Sequence, residues 1–143
     1  MIKKVETARE YEDVLDIRKI VFVEEQGVSL EEEIEEIDEF ETIAQYMIAY
    51  NDDHQPIATA RFRDVNGIAK IERVAVLKSE RGQGTGKALM RALEQEAQRQ
   101  GFRHFKLGAQ THAIPFYESL GYQAYGDQFL DAGIPHYYME KHL

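Results

Sequence analysis

Residues 81–86, Arg-Gly-Gln-Gly-Thr-Gly, set Gly82, Gly84 and Gly86 at alternate positions just before a segment with helical apolar spacing. A helix N-terminus presents unpaired backbone N–H groups and the positive end of the helix dipole, and glycines let a ligand approach the chain, so this pattern suits a phosphate. Two familiar phosphate loops do not fit. A Walker A loop ending at Gly86-Lys87 needs glycine where Arg81 stands and Ser or Thr where Ala88 stands. A dinucleotide loop begun at Gly82 needs glycine at Lys87, and it should follow the first strand of a βαβ unit. On these residues alone, a ligand-free strand-to-helix turn stays open.

Other residues could move protons. Tyr117 lies in the run QTHAIPFYESLGY (residues 110–122), and a phenol with a reference pKa of about 10 can donate a proton, or simply pack. Glu72 falls in an apolar alternating run, where a period of two predicts that it shares a face with Val74 and Val76 and could act as a base. It could equally pair with an arginine. His112 and His136 are alternative bases. The 5 histidines form no HExxH or comparable pair, so no metal is expected. Cysteine is absent, which removes disulfides, a thiol nucleophile and cysteine zinc patterns.

These residues need elements to hold them. Thr7 and Glu10 match a capping box ahead of a helix whose inner face carries Tyr11, Val14, Leu15, Arg18, Val21 and Phe22. Strands are predicted at 44–50, 57–63 and 68–77, with Asn66-Gly67 as a tight hairpin turn between the last two. After the glycine loop, Leu89, Met90, Leu93 and Ala97 line one helix face that ends at Gly101. A strand over 104–109, a short helix over 114–120 stopped by Gly121, and strands near Tyr122 and Tyr137 complete the chain. With no linker or repeat, residues 1–143 read as one α/β (α+β) domain.

Composition narrows the function classes. The chain has 143 residues, 43% hydrophobic and 30% charged, with no apolar run long enough to span a bilayer. No signal or transit segment is visible, so a cytoplasmic location is expected. The net charge of −9 is concentrated: Glu24 to Glu41 holds 10 acids and no base, leaving the remainder near neutral. That distribution argues against nucleic-acid or anionic-membrane binding, both of which need a basic footprint. Leu30, Ile34, Ile37 and Phe40 or Glu41 suggest that the acidic segment is a helix packed on an apolar stripe with its charges outward.

Arg81, Gly84 and Gly86, preceded by VAVLKSE, resemble the acetyl-CoA pyrophosphate loop of the GNAT N-acetyltransferases. Gln110, Ala113, Phe116, Tyr117, Gly121 and Tyr122 resemble that family's second motif. FVEEQGV (22–28) and GIPHYYM (133–139) resemble its ElaA/YjcF-like branch. The resemblance implies the acyl-CoA N-acyltransferase fold, a mixed, mostly antiparallel sheet of six to seven strands with about four helices. It implies acetyl-CoA as co-substrate, with no metal. Its pantetheine arm would pair with backbone groups of Val74, Ala75 and Val76, an N–H near Val76 would serve as oxyanion donor, and its pyrophosphate would lie on the backbone of Arg81, Gly82, Gln83, Gly84, Thr85, Gly86 and Lys87. A β-carbon at Gly84 or Gly86 is expected to crowd the phosphates. Gln110 would hydrogen-bond the cofactor arm or a nearby loop, Phe116 would pack on the cofactor or in the core, and Tyr117 would be the general acid.

The implied reaction is acetyl transfer to an amine, on a small molecule or a protein, by direct attack. The competing reading is a catalytically inert acyl-CoA-binding module, which would dispense with the acid at Tyr117. Family members are often dimers, and a homodimer could use Tyr137, Tyr138 and Met139, which could equally be core. The first two helices of the family border the acceptor side, so the acidic segment could favour a cationic amine; a solvated outer face is the plainer alternative.

Overall fold

The computed structural model describes residues 1–34 and 43–143. Over them run β1 (Ile2–Lys4), α1 (Ala8–Arg18), α2 (helical over residues 30–34), β2 (Gln45–Tyr50), β3 (Pro56–Val65) and β4 (Ile68–Val76). Then follow α3 (Thr85–Arg99), β5 (His104–Gln110), α4 (Ile114–Ser119), β6 (Gln123–Asp131) and β7 (Ile134–His142). The seven strands form one sheet in the order β1-β2-β3-β4-β5-β7-β6, antiparallel everywhere except between β4 and β5. This is the mixed sheet expected from the sequence. No helix among the described residues is long and apolar enough to cross a membrane.

Local chemistry explains the boundaries. Thr7 Oγ1 accepts from the Glu10 amide at 3.2 Å and Glu10 Oε1 accepts from the Thr7 amide at 3.0 Å, closing the capping box of α1. Asn66 and Gly67 take φ of 54° and 84°, the left-handed pair whose twist suits a two-residue hairpin. The side chains of α3 (Leu89, Met90, Leu93 and Ala97) pack on Phe62, Phe105, Leu107 and Met139 on one side of the sheet. On the other side, Val14, Ile17, Val21 and Phe22 pack on Tyr46, Ile48 and Ala75. Met139 is therefore core, while Tyr137 and Tyr138 are half-buried.

Three expectations need correction. Ile17 rather than Leu15 completes the inner face of α1, and the chain continues from α1 as a π-helical turn, Lys19–Glu25. The wider turn rotates the following residues, so Val21 and Phe22 are buried together and Glu25 is carried to the end of the sheet. In the acidic segment, Leu30 and Ile34 are 50% and 49% exposed, whereas Glu33 is 3% exposed. The physical cause is Arg18, buried on α1, whose Nε donates to Glu33 Oε1 at 2.6 Å; a buried guanidinium needs its counter-ion more than the helix needs its apolar stripe. Ile37, Phe40 and Glu41 lie outside the described residues.

The third correction concerns β4. Arg73 has φ of 53°, and the pairing of β3 with β4 slips by one residue between Thr59–Ala75 and Arg61–Glu72. This bulge breaks the period of two. Ala69 and Ile71 face α3 before it, as Val74 and Val76 do after it, whereas Ala75 faces α1. Glu72 consequently lies on the opposite face from Val74 and Val76.

Candidate functional site

β4 and β5 pair only at Ala69–Phe105, Lys70–Lys106 and Ile71–Leu107. Beyond the bulge the two parallel strands separate, and a cleft of about 940 Å³ opens between them. Val74, Val76, Gly84, Lys87, Phe116 and Tyr117 line it. Such a volume suits an elongated small molecule.

The backbone of β4 supplies the cleft's polar edge. The Leu77 amide donates to the Ile57 carbonyl at 2.9 Å, so Leu77 faces β3. In an antiparallel ladder successive residues face opposite neighbours, so the amides of Val76 and Val74 point into the gap and that of Ala75 points to β3. The Val76 carbonyl accepts from Arg81 Nε at 3.0 Å, consistent with its turning away from β3.

At the wide end of the cleft lies the glycine loop. Gly82 and Gly84 have φ of 78° and 83°, conformations that side chains resist, and Gly84 is the N-cap of α3. The first-turn amides of α3 lack partners within the helix, so the loop offers the anion-binding geometry expected of it. A β-carbon at Gly86 would meet Phe116 Cζ at 3.3 Å and Val76 Cγ2 at 3.5 Å. Its absence permits α3 to approach Phe116. The Arg81 guanidinium donates to both carboxylate oxygens of Glu25, at 2.5 and 2.7 Å. That hydrogen-bonded pair holds the Glu25 carboxyl below its usual range and the Arg81 guanidinium above its own. Gln83 donates to the Ser79 carbonyl at 3.2 Å, which steadies the loop, and Thr85 opens α3.

The second motif meets the first here. Gln110 Nε2 donates to Gln26 Oε1 at 2.9 Å, tying the end of β5 to the π-helical turn. Phe116 packs edge-on against Tyr117, with ring centroids 5.0 Å apart. Tyr117 is 7% exposed, lines the cleft, and no group among the described residues hydrogen-bonds its hydroxyl. Burial pushes its pKa up, so the phenol is protonated at neutral pH. Behind it, Tyr122 donates to Glu94 Oε2 at 2.6 Å and Lys141 donates to Glu94 Oε1 at 2.9 Å.

Glu72 also lines the cleft, but cations hold its carboxylate. Its carboxylate accepts from Arg61 at 3.1 Å and Arg63 at 2.9 Å, with Lys70 Nζ at 3.6 Å. Burial alone would raise its pKa, but the Arg63 hydrogen bond and the attraction of Arg61, Arg63 and Lys70 prevail and hold it below the usual carboxylate range. Arg61 also donates to the Tyr46 hydroxyl at 3.3 Å, and burial lowers its pKa to about 10. The same hydroxyl accepts from Arg18 at 2.9 Å. His136 lines the cleft, its Nδ1 2.7 Å from the Ile134 carbonyl and its ring stacked on Phe129; His112 lines the cleft exposed.

Sequence reasoning missed Glu25 and Gln26 as partners of the loop and of Gln110. The only signal was their place in FVEEQGV. It also missed Gly108, where a β-carbon would meet Phe129 Cζ at 3.2 Å, so that glycine lets the aromatic wall of β6 close over β5.

Comparison with known proteins agrees with this geometry. Residues 19–143 match the family model described as an acetyltransferase (GNAT) domain. The Bacillus subtilis protein named as uncharacterized N-acetyltransferase YjcF is 45% identical over 130 residues, covering 90% of each chain. Escherichia coli ElaA superposes with a TM-score of 0.82 at 25% identity, over 99% of both chains. An aminoglycoside 6'-N-acetyltransferase crystallised with coenzyme A shares the fold, with a TM-score of 0.77 at 19% identity, over 99% of this chain and 96% of its own.

Proposed function

The chain belongs to the GNAT acetyltransferase family, whose members carry out acyl transfer with CoA, and on that premise we propose that it moves an acetyl group from acetyl-CoA to an amine nitrogen by direct attack. The observation that carries the reading is the convergence on one cleft of the Val76 amide, the N-terminus of α3 and the unpartnered Tyr117 hydroxyl. The pantetheine arm enters between β4 and β5 and pairs with the exposed backbone of Val74 and Val76, while the pyrophosphate lies on the amides of residues 81–87.

The amine attacks the thioester carbonyl carbon, the new C–N bond forms, and the Val76 N–H stabilises the oxyanion. Collapse breaks the C–S bond, and the thiolate takes the Tyr117 proton. The phenolate is reprotonated from solvent. Glu72, held as an anion by three cations and facing away from Val74 and Val76, is a poor base; the amine's proton leaves through water in the cleft. Glu25 and Glu33 are ion-paired with Arg81 and Arg18, so among the described residues of the acidic segment the exposed acids outside those pairs that could favour a cationic acceptor are Glu24, Glu31 and Glu32.

Incubation with acetyl-CoA and amines, amino acids, polyamines and peptides, with free CoA followed by a thiol reagent, tests the proposal. Release that depends on an amine supports it. Saturable acetyl-CoA binding without release in any acceptor class favours the inert binding module.

A further inference from the structure

The start of β5 and the end of β7 carry a side-chain cluster that the acetyl-transfer reading does not use. His104 and His142 are direct cross-strand partners, and Glu140, two residues before His142, projects from the same face of β7. One donor atom from each lies within 4.8 Å of the other two. His104 Nε2 is 3.1 Å and His142 Nε2 is 3.7 Å from Glu140 Oε2. The two imidazole rings stack with centroids 3.9 Å apart. Lys106, which faces Glu140 in the register, directs its ammonium over the Tyr138 ring at 4.4 Å.

We propose that His104, Glu140 and His142 form a zinc(II) site that clamps the C-terminal strand to β5. Two neutral imidazoles and one carboxylate are the donor set of a three-ligand zinc centre, with metal–ligand bonds of about 2.0–2.2 Å and a fourth position open to water. Ligand atoms held around a tetrahedral ion stand roughly 3–3.7 Å apart. The observed separations approach that range, and rotation of the exposed His142 about its side-chain bonds can close the remainder. The ladder already sets the backbones, so the ion would not have to order a loop. On β5 the cleft lining begins at Leu107, and His104 lies three residues before it, about 10 Å along the strand, so the site is separate from acetyl transfer.

The test is zinc titration of the EDTA-stripped protein by calorimetry, with magnesium as the hard-cation control and the wild type compared with His104→Ala, His142→Ala and His54→Asn. Expected are one saturable zinc per chain, no heat with magnesium, a raised Tm, and affinity weakened by more than tenfold in each ligand variant but unchanged in His54→Asn. Zinc should also shift the imidazole resonances of His104 and His142 selectively and leave acetyl-CoA affinity unchanged. Absence of saturable zinc binding in the wild type, or equal affinity in a folded double variant His104→Ala/His142→Ala, overturns the proposal.

Discussion

Replacing Tyr117 by Phe isolates one hydroxyl. Its phenol is buried and has no hydrogen-bond partner among the described residues, so the change removes no intramolecular bond and leaves the ring contacts with Phe116 and Tyr122 in place. Stability should move by less than about 1 kcal/mol. The acetyl-CoA dissociation constant should hold, because binding is assigned to the backbone of β4 and of residues 81–87. Turnover should fall roughly 10²- to 10⁴-fold, the range of a positioned general acid. That is about 3–5 kcal/mol of transition-state stabilisation. Because burial raises the phenol's pKa, the acid form persists as pH rises, and wild-type kcat should show no downward limb from tyrosine ionisation up to about pH 10. The assay is CoA release across pH, with calorimetric acetyl-CoA binding and thermal melts on both proteins. A folded Phe variant with wild-type turnover would refute the general-acid assignment.

Gly84→Glu should abolish acetyl-CoA binding in a chain that still folds, since φ of 83° costs a side chain about 1–2 kcal/mol and the new carboxylate would confront the phosphates; unchanged affinity by calorimetry would move the ligand elsewhere. Glu33→Ala should cost about 1–3 kcal/mol in urea unfolding, because it removes a charge-assisted hydrogen bond from Arg18 in the core. Glu72→Gln tests the base and the linkage together. The folded pKa of Glu72 is lowered, so its stabilisation is full above the ordinary carboxylate range near about 4 and is lost as pH falls through the lowered value. Melts between pH 7 and 3 should therefore show a shallower acid loss in Glu72→Gln, while the shape of the kcat–pH profile stays as in the wild type. Loss of the rising limb at low pH would restore Glu72 as the base. Glu31→Gln with Glu32→Gln should raise KM for a cationic acceptor at low salt if these charges steer it, and an unchanged KM removes the steering idea.

Features governed by near neighbours were legible in the residues. The capping box at Thr7 and Glu10, the left-handed turn at Asn66-Gly67 and the stop of α3 before Gly101 each depend on backbone preferences spanning four or five positions. So did the glycine loop ahead of α3, since the anion-binding geometry of a helix N-terminus belongs to the helix itself. Spacing alone also put Tyr117 on a short helix in the second motif, about 30 residues beyond that loop, although its burial came only with the packing.

The amino-acid sequence by itself determined the elements, their order and the two motifs, because hydrophobic period, caps and turn residues act locally. Only the tertiary structure decided how those pieces share a site. The left-handed Arg73 inserts one residue into β4 and so moves Glu72 to the face opposite Val74 and Val76, an outcome that strict alternation cannot foresee. Arg81 meets Glu25 across 56 residues, His104 meets Glu140 across 36, and Arg18 draws Glu33 into the core against the apolar pattern of its own helix. The first two pairs are brought together at partly exposed positions by the folded sheet, and in the third the cost of burying the Arg18 guanidinium without a carboxylate beside it outweighs the local preference that the sequence displays.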